Sequence, residues 1–420
     1  MAERRAREVA AVLGVADFVY AQPLVRKGSA TREVGDGLLI CGGRGAVVQV
    51  KARDRDAGRR DSPEKAERVV GKFLDAAVRQ GRGTKRTIGQ YARQAQPLRV
   101  LPVRALGYPQ ERRDEFALTL AEDCADWPII VVIDHPNDPI VEVNPDADVF
   151  CVSLDDWHEL NGHIRSVNGV LRYVQRVLDH GAALAVPFGE ERRRFAKLVE
   201  ADAASTVGST TAVPWLSYDG VDDPVAVAVY RELLEKVWDG EARGPALTAD
   251  ECRRILDVLD DVPVATQTRV GRWILDKRRI LQQTGQRASG CIAVGGDDGH
   301  SVLVYMCDTE ANEANREHWV AELGTLTLVR AAEWREQRAE GPRVVGIGVR
   351  ETDGGVEYSH IYSSGLVAVP GDVRRMIEWR YGISDFRTGR NRTLQLGRNE
   401  QCPCGSGRKV KQCHGAPGRD

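Results

Sequence analysis

The chain has 420 residues, of which 42% are hydrophobic and 29% are charged, and its formal net charge is only −2. A chain of this length is expected to form two or three domains with buried cores. The balanced charge excludes a globally basic nucleic-acid-binding protein, so such a surface must be a local patch. No apolar segment follows the first five residues and no apolar run is long enough to span a bilayer, so we expect a cytoplasmic protein without signal peptide or membrane span.

The first part of the chain predicts an α/β core with a mixed sheet. Helices are expected at residues 3–14, 63–80 and 164–180, and strands at 37–41, 46–50, 98–103, 129–133 and 148–154. Gly42-Gly43-Arg44-Gly45 separates the first two strands and is typical of a hairpin turn. The order helix, hairpin, helix, strand, strand, helix favours α/β packing.

A second, α+β region is expected from about residue 186. Residues 188–202 and 223–283 are charged and helical; further helices are expected at 310–322 and 370–380, and strands at 301–307, 326–328, 343–349 and 357–362. Residues 386–397 are polar and lack periodicity, which predicts a linker. The predicted domains are therefore residues 1–185, residues 186–385 and, after the linker, a small module at residues 398–420.

The C-terminal module contains three cysteines and one histidine within 13 positions. These are Cys402, Cys404, Cys413 and His414, and the glycines between them let a short loop wrap around an ion. Thiolates and imidazole suit a tetrahedral Zn²⁺ site. The string CPCGSGRKVKQCHG resembles the SEC-C motif, a zinc module found at the C-terminus of the SecA translocation ATPase and in many unrelated bacterial proteins. The resemblance implies that all four residues bind a structural Zn²⁺ and that the module has a protein partner.

The other six cysteines are scattered and lack paired spacing. They are Cys41, Cys124, Cys151, Cys252, Cys291 and Cys307. Such a pattern predicts buried thiols in a reducing compartment rather than disulfides.

The hairpin carries a second candidate site. Asp36 begins its first strand, and Gln49 and Lys51 lie near the end of its second strand on one face, because side chains alternate along a strand. Pairing of the strands would bring a carboxylate, an amide oxygen, a main-chain carbonyl and an ammonium group together. Phosphodiester cleavage uses such groups: oxygen ligands hold Mg²⁺, which activates water, and a lysine stabilises the developing charge.

The arrangement D-x₁₂-Q-x-K resembles the PD-(D/E)XK nuclease superfamily, and in particular the Mrr-type restriction endonucleases, in which glutamine commonly replaces the second acid. The resemblance covers roughly residues 3–105, with an outer limit near residue 180, and implies a restriction-endonuclease-like core. It implies four site residues: Asp36 as the metal carboxylate, Gln49 as the second ligand of a catalytic Mg²⁺, Lys51 as the catalytic lysine and Glu33 as a supporting acid. The proline that usually precedes the first acid is Gly35 here.

A basic segment follows the hairpin. No Asp or Glu occurs between Ala76 and Pro109, and the candidate nucleic-acid-binding residues in this segment are Arg79, Arg82, Lys85, Arg86 and Arg93. Glycines at positions 81, 83 and 89 would let the backbone approach phosphate groups, and each neutralised phosphate would make binding dependent on salt. A solvated charged face without a ligand is the alternative interpretation.

Two functions of different classes remain open from the sequence. The first is a Mg²⁺-dependent endonuclease that hydrolyses phosphodiester bonds, with DNA as the expected substrate and restriction or another defence role implied by the resemblance. The second is a non-catalytic adaptor, in which the SEC-C module recruits a protein or ribosomal partner and the N-terminal domain is a degenerate nuclease fold. The presence of both Asp36 and Lys51 favours the enzyme.

Overall fold

The chain divides into two structural units. The structure is a computed structural model and describes residues 1–27, 30–33, 35–103, 116–120, 124, 126–206, 214–239, 248–284, 290–295, 301–308, 316–337, 343–352, 355–363, 369–375, 383–385, 390–392, 397–402 and 407–413. Unit 1 contains residues 1–205, 214–223 and 263–265, and unit 2 contains residues 206–213, 224–262 and 266–420.

Unit 1 is built on a mixed sheet of eight strands. They are β1 (Val19–Lys27), β2 (Ala30–Glu33), β3 (Gly37–Cys41), β4 (Arg44–Ala52), β5 (Leu98–Pro102), β6 (Phe116–Leu118), β7 (Ile129–Asp134) and β8 (Val149–Ser153). Seven follow the order β6-β5-β1-β3-β4-β7-β8, and β2 pairs with β1. Strand β3 is antiparallel to β1 and β4, whereas β7 is parallel to β4 and β8. The predicted α/β class with a mixed sheet is confirmed.

The helices of unit 1 cover both faces of the sheet. They are α1 (Ala2–Leu13), α2 (Arg55–Gly58), α3 (Pro63–Arg93), α4 (Leu154–Ile164), α5 (Val167–His180), α6 (Glu191–Thr206) and α7 (Asp219–Asp222). Ser62 caps α3, because its hydroxyl accepts a hydrogen bond from Lys65 N at 3.4 Å. Val70 and Ala77 of α3 pack in one cluster with Ile129 and Val131 of β7.

The face of β4 that α3 covers is the one that carries Gln49. Val47 pairs with Ile129 and Gln49 pairs with Val131, so these four side chains lie on the same face of the sheet. The core under α3 therefore extends to the candidate hairpin site.

Helix α3 is longer than the sequence predicted. It continues to Arg93, so the glycines at positions 81, 83 and 89 lie inside a helix. At position 81 a Cβ atom would stand 2.6 Å from Ile129 Cγ2, closer than side chains approach. Gly81 therefore allows α3 to pack closely against β7.

Unit 2 contains a four-stranded sheet with helices on both faces. Its helices are α8 (Pro224–Asp239), α9 (Ala249–Asp260), most of α10 (Val264–Thr284) and α11 (Arg316–Gln337), and its strands are β9 (Gly290–Gly295), β10 (Ser301–Asp308), β11 (Arg343–Thr352), β12 (Gly355–Ser363), β13 (Ile383–Asp385) and β14 (Arg390–Arg392). The sheet order is β12-β11-β10-β9, with β10 and β11 parallel and connected through α11. Strands β13 and β14 form a separate pair, and β14 lies where the sequence predicted a linker.

The predicted strand at residues 326–328 is wrong, because these residues lie in α11. Leu323, Leu326 and Val329 are fully buried and recur every three residues, as on the inner face of a helix. The short Leu-Thr-Leu run has the alternation of a strand, which a buried helix segment can imitate. In the part of the chain that is described, no helix is both long and apolar enough to cross a membrane.

Candidate functional site

The hairpin of β3 and β4 brings Asp36 next to the end of β4. Gly37 pairs with Val48, so Asp36 follows in register beside Gln49. Asp36 Oδ2 accepts a hydrogen bond from Val50 N at 2.8 Å and lies 4.0 Å from Lys51 Nζ. The side chains of Lys51 and Asp36 are 20% and 19% exposed. A carboxylate and an ammonium group thus meet at a position that solvent reaches.

Gln49 lies deeper than the other two residues. It is 1% exposed, and its Nε2 atom is buried without a hydrogen-bond partner among the described residues. A buried polar group that lacks a partner raises the free energy of the folded state by roughly 1–3 kcal/mol. The side chain that the nuclease resemblance assigns to the metal is therefore available for a ligand.

Gly35 accounts for the departure from the expected proline. Its φ is +79°, and a Cβ atom there would stand 2.9 Å from Gln49 Nε2 and 2.9 Å from Thr84 Oγ1. Proline is restricted to φ near −65°, so it cannot adopt this conformation. The backbone of Gly35 therefore packs against Gln49 and Thr84, at the position where the nuclease pattern has a proline.

Two residues at the site were missed by sequence analysis. Thr84 reaches Gly35 from α3 and is 4% exposed. It shares a helical face with buried Ala77 and Ile88, and a polar residue on that face was a signal that could have indicated it. Arg7 of α1 donates a hydrogen bond from Nη1 to the main-chain oxygen of Asp36 at 2.5 Å, and no pattern in the sequence indicated this contact.

Glu33, the predicted supporting acid, belongs to β2. Its Cα pairs with that of Leu24 on β1. The side chain lies outside the described residues, so its role as a supporting acid stays a prediction.

The basic segment forms an exposed stripe on α3. Four arginines are exposed there and lie within about 60° of one another around the helix axis at 100° per residue: Arg79, Arg82, Arg86 and Arg93. We call this stripe the outer face of α3. It points away from the face with Val70 and Ile88 that packs on the sheet. The stripe and the hairpin site therefore lie on opposite sides of α3.

Acidic side chains from outside the segment neutralise part of its charge. Arg82 Nη2 lies 2.5 Å from Asp146 Oδ2, and Lys85 Nζ lies 3.0 Å from Asp148 Oδ2. Although burial opposes it, the hydrogen bond and charge of Lys85 lower the pKa of Asp148 below its usual value. The lack of acids within the segment thus does not leave all of its cations unpaired.

The C-terminal module is held together by main-chain hydrogen bonds. Cys402 N donates to Arg408 O at 2.7 Å, and Val410 N donates to Glu400 O at 2.9 Å. These bonds join the segment with buried Cys402 to the segment that ends at Cys413, which is partly exposed. Cys404 and His414 lie outside the described residues.

A known sequence motif matches the chain at this module. Residues 398–416 match the SEC-C motif. The protein translocase subunit SecA of Nitrosococcus oceani is 41% identical over 66 residues, 16% of this chain and 7% of that protein. SecA of a Nocardioides species is 74% identical over 23 residues, 6% and 2% of the two chains, and SecA of Carboxydothermus hydrogenoformans is 46% identical over 46 residues, 11% and 5%.

These three matches cover between 6% and 16% of the chain. The chain spans at most 7% of the length of the three SecA proteins, and no solved structure matches it. None of the matches described here concerns a nuclease.

Proposed function

We propose that unit 1 is a Mg²⁺-dependent nuclease that hydrolyses phosphodiester bonds, with DNA as the expected substrate. The observation that carries the proposal is the convergence of Asp36, Gln49 and Lys51 at one end of the hairpin, with Asp36 Oδ2 and Lys51 Nζ 4.0 Å apart. Helix α1 before the hairpin, helix α3 after it and the strands that follow α3 support it as well, because they fit the core order that the resemblance implies.

The residues fit a weakly held divalent cation. One oxygen of Asp36 is taken by Val50 N, which leaves Oδ1 for an ion. A 180° rotation of the Gln49 amide would exchange its unpartnered nitrogen for the oxygen that a cation needs. Among the described residues no group of three or more acidic, histidine or cysteine side chains is arranged for a metal, so water must complete the shell, as Mg²⁺ allows.

The residues around the site have different roles in the proposed hydrolysis. When bound, Mg²⁺ would polarise the phosphate and lower the pKa of a coordinated water. The ammonium group of Lys51 lies next to the phosphate and stabilises the additional negative charge of the transition state. Val50 N and Arg7 hold the side chain and the main chain of Asp36 in place. Such preorganisation costs no rearrangement during the reaction.

Incubation of the purified chain with supercoiled plasmid tests the proposal. We expect nicking with Mg²⁺ or Mn²⁺ and none with a chelator present. DNA and RNA of the same sequence, labelled at one end, would identify the substrate class. If no divalent ion elicits cleavage of any nucleic acid, unit 1 is not a nuclease.

We also propose that residues 398–420 form a Zn²⁺-binding module that contacts a protein partner. The match to the SEC-C motif favours this second function, which would belong to an adaptor if unit 1 does not cleave. The donor set of thiolates and imidazole fits Zn²⁺, and the main-chain bonds at Cys402 and Val410 bring two of the proposed ligand segments together. Pull-down from lysate with full-length chain and with a chain ending at Gly397, followed by mass spectrometry, would identify a partner that needs the module.

A further inference from the structure

A small cavity lies in unit 1 apart from the hairpin site. Its volume is about 140 Å³, and α4 and α6 supply most of its lining. Helix α4 follows β8 directly, so the first turn of α4 lies at the carboxyl edge of the parallel strands β4, β7 and β8. Ligands of open α/β sheets commonly bind at this edge. A cavity of this volume holds a molecule about the size of benzene.

Carboxyl groups dominate the charge around the cavity. Asp156, Glu159 and Glu191 line it together with a single cation, Arg192. That cation is already bound to Glu159 through two hydrogen bonds. Asp156 and Glu191 are 6% and 4% exposed. Two buried carboxyl groups therefore remain without a cation that belongs to the cavity lining.

Glu191 is fixed in position by its neighbours. Its Oε1 atom accepts a hydrogen bond from the Tyr173 hydroxyl at 2.5 Å, and Arg194 Nη2 lies 3.6 Å from Oε2. The guanidinium of Arg194 also lies over the ring of Phe150, 5.6 Å from its centre. Burial raises the pKa of Glu191 to about 7 in spite of Arg194 and Tyr173, and burial raises the pKa of Asp156 as well. The groups of the protein therefore offset the negative charge of these two carboxylates only in part.

Aromatic rings form the rest of the wall. His163 stacks on Phe195 with ring centres 4.9 Å apart, and Tyr218 meets the edge of both rings. Burial lowers the pKa of His163, which favours the neutral ring, and its buried Nδ1 atom has no hydrogen-bond partner among the described residues. Aromatic rings next to carboxylates attract organic cations and disfavour anions.

We propose that this cavity binds a small organic cation, whose guanidinium or ammonium group lies against Asp156 and Glu191 and whose carbon atoms contact Phe195 and Tyr218. A metal ion is disfavoured, because Oε1 of Glu191 already accepts a hydrogen bond from Tyr173 and aromatic rings form much of the remaining wall. The cation would be an independent small molecule or the side chain of an arginine, since the charged group is the same. This site does not depend on the nuclease proposal.

Ligand-observed NMR titration of the full-length chain tests the inference. The probes are methylguanidinium, its neutral analogue N-methylurea, and N-acetyl-arginine amide, which carries the same group on a peptide unit. The variants are Glu191→Gln, which keeps the shape and the bond to Tyr173, and Tyr218→Leu at a position that is 40% exposed. Glu200→Gln is the matched control, because Glu200 is exposed on the same helix.

We expect saturable binding of methylguanidinium, at least about ten-fold weaker binding to Glu191→Gln, a smaller loss with Tyr218→Leu and no change with Glu200→Gln. Binding of N-acetyl-arginine amide at equal strength would identify a chain-borne arginine as a ligand, whereas its exclusion would identify a small cation. Circular dichroism establishes that each variant is folded. Equal binding of N-methylurea, unchanged binding to both cavity variants, or no binding of any cation would overturn the proposal.

Discussion

The hairpin site of unit 1 and the C-terminal module differ in how their residues are arranged along the chain. The module has its four proposed ligands within 13 positions, and a family motif matches it, although only two of the four are described. At the hairpin Asp36 and Lys51 meet in the fold, yet no described match covers them. A short contiguous motif can be recognised in isolation, whereas a site assembled from strands and helices needs the fold before its residues can be judged together.

Substitution of Asp36 or Lys51 should have the greatest effect on cleavage, and it tests the hairpin site directly. Asp36→Asn removes the only charged ligand assigned to Mg²⁺, and Lys51→Ala removes the cation next to it. Each should slow plasmid nicking at least about 100-fold, the scale for loss of a preorganised electrostatic group. Thermal unfolding monitored by circular dichroism should be nearly unchanged, because both side chains are partly exposed. Full cleavage by Asp36→Asn would contradict the assignment, and Asp54→Asn, an exposed acid just beyond β4, is the control.

Removal of the proposed zinc ligands tests the C-terminal module. Replacement of Cys402 and Cys413 together by serine should reduce bound zinc from about one ion per chain to almost none, because thiolates supply most of the donor set. Elemental analysis after dialysis measures this. The control is Cys252→Ala, a buried cysteine of α9 outside the module. Equal zinc in the double variant and the wild type would show that the module does not hold the metal.

The cations of the basic segment on α3 are equivalent in the sequence but differ in the structure, because only some of them are paired with acids. Arg79→Ala with Arg86→Ala should lower the slope of log affinity for DNA against log salt by up to about 2, since each phosphate contact contributes nearly one. Arg82 and Lys85 are paired with Asp146 and Asp148, so their double alanine variant should change the slope less. Fluorescence anisotropy at several salt concentrations would measure both. Equal slopes for the wild type and both double variants would show that these cations face solvent and do not contact DNA.

The pKa of Glu191 makes the stability of the protein depend on pH. Burial raises the pKa of Glu191 from about 4.5 to about 7, so the folded state binds more protons than the unfolded state between these values. Glu191 by itself should therefore lower the free energy of unfolding as pH rises from about 4.5 to 7, by at most about 3 kcal/mol. Urea unfolding of the wild type and of Glu191→Gln across this range measures the contribution as the difference between the two proteins, in which the effects of the other groups largely cancel. Asp156 and Asp138, whose pKa values burial raises, contribute with the same sign, and His163 and His360, whose pKa values burial lowers, contribute with the opposite sign.

Sequence patterns predicted those features that depend on neighbouring residues. The hairpin at Gly42-Gly43, the start of α3 after Ser62 and the buried strand β7 follow from local turn, cap and periodicity signals. Strand β1 was missed, because Pro23 and its polar residues obscure the alternation of a central strand.

Pairings between distant segments could not be predicted. Asp148 meets Lys85 across 63 positions, and Thr84 meets Gly35 across 49, so no local pattern indicates either contact. Among the site residues, the relation between Asp36 and Lys51 was within reach only because a single hairpin joins them.

The conformation of Gly35 limits how this site can vary. With φ at +79° and no room for a Cβ atom next to Thr84 and Gln49, position 35 should accept only glycine in a saturation library. A smaller residue at position 84 would relieve part of the crowding but not the backbone strain, so substitutions at 35 and 84 should be non-additive. Lineages of this chain should therefore keep glycine at position 35 for as long as Gln49 and Thr84 occupy their places.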